Sequence, residues 1–422
     1  MKRLALHLLL PLGVVAAYQA LQGPAPRPAA PSEDTPYARA LADLDRNLAF
    51  HRRRAQRDPS AWVPLEAMAS HSLARGHLSG DFNDYAAADE ALTQAFLRAP
   101  AGSGPYLVRA QLGFTLHRFD RVAADLDKVA QQLLLDGDTR RVVDELRAAL
   151  AFQRGEHDAA RAGFAALLAQ RRTVTVLARA AQLAWKTGAF DEAHALLLEA
   201  QAAVRPADLE GRAYLSLTHG LMDLERGALD DALFHFTVAA DTFPGWYLPE
   251  QHLAEAMALR GSTDAAARRY ERLVARTHNP ELMDALAELY TALGREGDAA
   301  RLTARARGLH EAMLQRFPEA ACGHALAHYL QTGDAARAVT LGEQNRALRP
   351  GAEAYVGLAR AYLLASRPAD AKAAIEAALA TPVQSALMHR TAAEVFEATG
   401  ELARAAEARR LVAARGLVRG HH

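Results

Sequence analysis

Residues 227–244 read "GALDDALFHFTVAADTFP". Gly227 breaks one helix, and the apolar positions after it return at helical spacing. Ala232, Phe236 and Ala239 lie four and three residues apart, so they share one helix face. Pro244 stops that helix, because its ring removes a backbone donor and clashes with the preceding turn. The alanine at 232 marks a place where two helix axes approach closely. This one stretch is a turn followed by a helix that needs a partner.

The pattern recurs along the chain. Turn residues fall at Gly155, Gly188, Gly227, Gly261, Gly294, Gly333, Ser366 and Gly400. Five positions on stand Ala160, Ala193, Ala232, Ala266, Ala299, Ala338, Ala371 and Ala405. Successive turns are 33, 39, 34, 33, 39, 33 and 34 residues apart. A period near 34 with two insertions marks a repeat array. Before each turn lies another helix with small or aromatic residues at fixed offsets. Ala287 with Tyr290, Leu326 with Tyr329, Ala359 with Tyr362 and Ala393 with Phe396 are examples. Each unit is therefore two antiparallel helices whose shared face needs a neighbour to bury it.

This pattern resembles the tetratricopeptide repeat (TPR) family over eight units from about 139 to 416. Weaker units are "FDRVAADLDKVA" (119–130) and "YAAADEALTQAFLRAP" (85–100). The resemblance implies an all-α, right-handed superhelical solenoid of about ten helix pairs. Each repeat is then expected to touch only its neighbours. It also implies an inner wall of first helices that holds a protein or peptide. Carried onto this chain, the family's contact positions are Gln182, Trp185 and Lys186, then Tyr214, Leu217, Leu221, Leu224 and Glu225. Leu248, Gln251 and Glu255 follow, and then Glu281, Asp284 and Glu288. That wall is apolar and aromatic at 185–248 and acidic at 281–288. It lacks the Lys/Asn/Arg set with which some members clamp a terminal carboxylate, so a segment with apolar anchors and a basic end is expected. A one-position shift of frame would instead put the leucines in the core. "FPGWYLPEQHLAEA" (243–256) holds Trp246 and Tyr247 either as packing between units or as an exposed contact.

Composition bounds the function. Apolar residues make up 50% of the 422, aromatics only 6%, and basic and acidic side chains balance at 49 each. No general field attracts nucleic acid. The cluster "HRRRAQRD" (51–58) spreads around a helix and reads as solvated surface. One cysteine excludes an internal disulfide and any multi-thiolate metal site.

The chain opens with Lys2 and Arg3 ahead of an apolar run to Leu21. At 1.5 Å per residue that run spans roughly 27 Å, enough for a bilayer core. It also reads as a signal peptide with Val15-Ala16-Ala17 as the cleavage site. Residues 1–21 are thus an anchor or a signal, 22–36 a spacer with five prolines, and 37–422 the repeat domain. The charge order places the body outside the cytoplasm, on the periplasmic side.

Motifs for chemistry are sparse. His324 and His328 share a helix face, yet no third ligand is evident, and Cys322 reads as a small buried hydrophobe. His219, His235 and His389 show no converging pattern. "HLSGDFNDYAAADE" (77–90) lacks the calcium-loop glycine and glutamate spacing and reads as a capped turn. No phosphate-binding loop, nucleophile elbow or dinucleotide fingerprint occurs. A non-catalytic adaptor of the cell envelope without a cofactor is the leading expectation. A metal-handling accessory protein and an oligomeric spacer are the alternatives.

Overall fold

The computed structural model describes residues 34–132 and 136–414. The expected signal or anchor at 1–21 and all but the end of the proline spacer lie outside these residues. No helix among the described residues is long and apolar enough to cross a membrane.

Helix α1 (Pro36–Arg57) precedes ten hairpins, and the described residues contain no strand. The hairpins begin with α2 (Val63–Ser79) and α3 (Phe82–Arg98), α4 (Tyr106–Thr115) and α5 (Phe119–Ala130), then α6 (Gly137–Gln153) and α7 (His157–Gln170). The middle pairs are α8 (Val174–Lys186) and α9 (Phe190–Ala203), α10 (Leu209–Glu225) and α11 (Leu229–Thr242), α12 (Tyr247–Leu259) and α13 (Thr263–Thr277). The last four are α14 (Pro280–Ala292) and α15 (Glu296–Arg316), α16 (Pro318–Thr332) and α17 (Ala335–Leu348), α18 (Ala352–Leu364) and α19 (Pro368–Leu379), α20 (Ala386–Ala398) and α21 (Leu402–Ala414). Within each hairpin the two helices pack together, and each second helix packs on the next first helix. Most first helices also touch the next first helix, as α16 touches α18 and α18 touches α20, which puts them on the crowded inner side. The chain is an all-α, TPR-like solenoid.

The eight turn residues read from the sequence all take the left-handed conformation, with φ from 57° at Ser366 to 91° at Gly261. Two further hairpins turn at Gly80 (φ 70°) and His117 (φ 57°), completing ten. That backbone region is open to glycine and costly for other residues, which is why His117 escaped a glycine-based reading. The post-turn alanines are buried, Ala232 completely. Gly220 of α10 faces Phe236 of α11 so closely that an added Cβ would lie 2.5 Å from the ring. Ala232→Leu is therefore expected to destabilise the protein by about 1–3 kcal/mol through overpacking. Unchanged thermal and denaturant midpoints would show that the hairpin frame is misplaced there.

The two 39-residue spacings have different outlets. The first lengthens α10 to 17 residues, after a linker whose Asp208 caps the helix through Gly211 N–H at 2.9 Å. The second extends α15 to 21 residues and carries His310 into the interior.

Contacts are not confined to neighbouring repeats, which corrects the expectation of a purely one-dimensional array. The turns of the early hairpins meet the linkers of the late ones. The Gly80 turn lies under the Tyr247 ring, where a Cβ would come within 2.8 Å of the hydroxyl. Phe82 meets Phe317 at 5.4 Å between ring centroids. The Gly155 turn lies 3.5 Å from Pro350 O by the same measure of an added Cβ. Gln384 N–H donates to Lys186 O at 2.8 Å. Tyr37 of α1 meets Phe243 edge-on at 5.8 Å and donates its hydroxyl to Leu78 O at 3.4 Å. Contacts join the second hairpin to the linker before the eighth (Arg118 to Phe317), the third to that before the ninth, and the fourth to that before the tenth. One superhelical turn thus takes about six hairpins, and successive turns close on each other along a seam. Trp246 and Tyr247 are buried at it, 5% and 1% exposed, so this link packs units together.

Candidate functional site

The inner-wall positions divide into four groups, the acidic ones forming the last. Leu217, Leu221 and Leu224 are buried among core side chains, and so is Trp185. Tyr214, Leu248 and Gln251 are half-buried, and Tyr214 Oη accepts a 2.7 Å hydrogen bond from Gln182 Nε2. Gln182 and Lys186 line a cavity at the seam.

The acidic positions have partners within the protein. Glu255 Oε2 lies 2.9 Å from His252 Nδ1, and both are buried. Glu281 pairs with His324. Asp284 receives two histidines, His310 Nε2 and His328 Nδ1, each at 2.8 Å. Burial alone would raise the Asp284 pKa, but these hydrogen bonds outweigh it and hold the carboxyl below its usual range. Burial, reinforced by the charge of Asp284, pushes Glu288 up to about 8, so it carries its proton at neutral pH. Little of this wall is left to attract a basic ligand.

His324 and His328 therefore point to different carboxylates, although they share a helix. The sequence reading missed His310, which belongs to the extended part of α15. Cys322 is 1% exposed, and burial pushes its thiol pKa up. Its Sγ lies 3.4 Å from Asn345 Oδ1.

The seam cavity has a volume of ≈ 140 Å³. Cavities of about 150 Å³ take a benzene ring, so an aromatic or branched side chain fits. Phe114, Phe152 and Phe164 form an apolar wall, while Arg179, Lys186, Asn345 and Arg349 supply polar groups. Arg179 is held by Glu145 at 3.3 Å. Lys186 lies 3.3 Å from Glu353 and 3.9 Å from Glu225. Burial works against its charge, and the two carboxylates outweigh that and raise its pKa.

Arg349 differs. Its Nη2 and Nε donate to the neutral Asn345 Oδ1 at 2.7 and 3.2 Å, and among the described residues no ion pair includes it. Burial pushes its pKa down, with Cys322 and Glu353 partly restoring it. Gly323 leaves room for it, since a Cβ there would sit 2.8 Å from Nη2. A guanidinium whose partner is neutral keeps N–H groups suited to pairing with a carboxylate or phosphate. Lys186, Asn345 and Arg349 meet at this cavity from opposite sides of the seam.

On the outer side, His194, His219 and His235 converge, correcting the reading of scattered histidines. Ring centroids are 5.3 Å apart for His194 and His219, and 5.1 Å for His219 and His235. Asp223 Oδ2 lies 2.7 Å from His235 Nδ1. His219 is 1% exposed, and neither ring nitrogen has a partner. Burial, joined by the neighbouring His235 and His194, lowers its pKa to about 4. The unfolded chain keeps a value near 6.5 and binds the proton first, so stability falls as pH drops from about 6.5 towards 4. The expected loss between pH 7 and 5 is about 2 kcal/mol. Denaturant titrations of wild type and His219→Gln at both pH values check this. An unaltered pH slope in the variant would remove His219 from the account.

The "77–90" stretch is the capped turn expected. Asp81 Oδ1 accepts Asn83 N–H at 2.9 Å, and Asp84 is engaged by Arg75 and Ser79. Arg52, Arg53 and Arg54 are exposed on α1.

No family model and no curated protein matches the chain by sequence. Among solved structures, it is similar to a tetratricopeptide repeat protein from Parabacteroides merdae, with 18% identity and a TM-score of 0.35 over 58% of this chain and 93% of that one. A chain of the APC/C hetero-tetramer Cut9–Hcn1 is 15% identical, TM-score 0.48, over 92% of this chain and 75% of that one. A monomeric mutant of IFIT1 solved with Gppp-AAAA is 13% identical, TM-score 0.44, over 89% and 94%. The fold assignment rests on this chain's own ten hairpins and their turn register.

Proposed function

We propose that this protein is a non-catalytic interaction scaffold whose seam cavity captures the acidic end of a partner's apolar segment. The observation that supports it is Arg349, hydrogen-bonded to Asn345, in no ion pair among the described residues, and lining a cavity walled by phenylalanines. The anionic end replaces the basic one expected from the sequence, because the wall's carboxylates are already matched by His252, His310, His324 and His328. A C-terminal carboxylate preceded by an apolar side chain has the required chemistry.

Fluorescence anisotropy with short peptides tests this. Peptides ending in Phe or Leu with a free carboxylate bind, and binding weakens with salt. The same peptides with an amidated end bind at least tenfold more weakly. Equal binding of acid and amide would refute the anionic-end reading.

We further propose an extracytoplasmic location, on the basis of Lys2 and Arg3 ahead of the apolar run to Leu21. The body would be tethered through that run or released by its cleavage. A reporter active only outside the cytoplasm, fused after His422, should be active. A stable but inactive fusion would sink this placement.

A further inference from the structure

The buried cluster of Asp284, His310 and His328 has the composition of a transition-metal site. It is assembled from three successive helices, α14, α15 and α16, so its geometry is set by the packing of two hairpins. Each residue offers one ligand atom, and the three atoms lie within 4.8 Å of one another. Both histidines are 1% exposed. The hydrogen bonds to Asp284 use one nitrogen of each ring. His310 Nδ1 and His328 Nε2 remain buried with no partner. The ligand atoms on offer are the two nitrogens that face Asp284, with its carboxylate between them.

We propose that Asp284, His310 and His328 bind a divalent transition-metal ion as a two-histidine, one-carboxylate site. Imidazole and carboxylate together suit zinc, cobalt, nickel or ferrous iron, whereas calcium and magnesium prefer all-oxygen shells. Bond lengths of roughly 2.0–2.2 Å put adjacent ligand atoms about 3 Å apart. His310 and His328 lie 2.8 Å from different oxygens of Asp284, so binding opens these two contacts slightly and draws the trio, now within 4.8 Å, together around the ion. Both imidazoles bind in the neutral form, so acid competes with the metal. Three protein ligands leave a coordination position free for water or a further group, unlike a closed four-ligand structural site. The ion would also fasten α14 and α15 to α16, joining the seventh hairpin to the eighth.

The test uses the full chain without an affinity tag, stripped with chelator and titrated with Zn²⁺ and separately with Co²⁺. Calorimetry should give one tight equivalent, Co²⁺ should develop visible d–d bands, and the melting temperature should rise with metal. His328→Gln and Asp284→Asn, shown by circular dichroism to be folded, should each weaken binding by roughly 100-fold. His278→Gln, whose ring instead contacts Arg305, should bind like wild type. Absence of stoichiometric uptake by folded wild type would overturn the proposal. So would undiminished binding by the folded His328 variant, since it would place the ion elsewhere.

Discussion

Tyr247→Ala is expected to destabilise the protein by about 3–5 kcal/mol, the range for truncating a large buried aromatic. Tyr247 is 1% exposed and covers the Gly80 turn, so its loss opens a cavity between the first hairpin and the linker before the sixth. The location of the damage matters as much as its size. In an array with neighbour contacts only, the mutation would loosen the fifth and sixth hairpins and leave α2 and α3 unaffected. With a closed seam, amide protection should fall at α2 and α3 as well. Hydrogen exchange of wild type and variant separates the two outcomes. Protection unchanged in α2 and α3 would show that the early turn does not depend on Tyr247.

Arg349→Ala is expected to cost about 2–5 kcal/mol of affinity for an acid-ended peptide, tens to thousands of fold. The guanidinium supplies two parallel N–H groups that lysine cannot reproduce, so Arg349→Lys should recover only part of the loss. Folding should change little, because the main partner left behind is the neutral Asn345 carbonyl. Lys186→Ala is a less clean test, since it also removes a cation beside Glu353 and Glu225. Retention of full affinity by folded Arg349→Ala would remove the cavity from the binding account.

The sequence was most legible where physics repeats. A left-handed turn followed five residues later by a helix-contact alanine recurs because each hairpin solves the same packing problem, and all eight such turns adopt the expected backbone. His117 broke that regularity and hid the second hairpin's turn. The seam was not legible, because its contacts join turns to linkers far apart in sequence and follow no period. Gly80 with Tyr247 and Phe82 with Phe317 carry no mutual signal along the chain. For the same reason nothing along the chain ties Asn345 and Arg349 to Lys186. Gln182 and Lys186 were read as groove positions and line the cavity, while Leu217, Leu221 and Leu224 pack in the core. His310 lay in an insertion that the repeat frame skipped. His194, His219 and His235 come together only because α9, α10 and α11 stack.

The closed superhelical turn is the claim on which the cavity depends, and a designed cross-link tests it most directly. A Cβ built on Gly188 would lie 3.6 Å from Gln384 Cβ, within the about 3.5–4.5 Å that a disulfide spans. Gly188 has φ 83°, so cysteine there carries a strain of roughly 1–2 kcal/mol. The measurement uses Gly188→Cys with Gln384→Cys, Cys322 replaced by serine, and a protease site inserted between Val204 and Asp208. Mild oxidation of the monomer should form the bond nearly completely, and the two fragments should stay joined after cleavage until reduced. Free thiols persisting in a folded, oxidised monomer, with fragments that separate on cleavage, would contradict the seam.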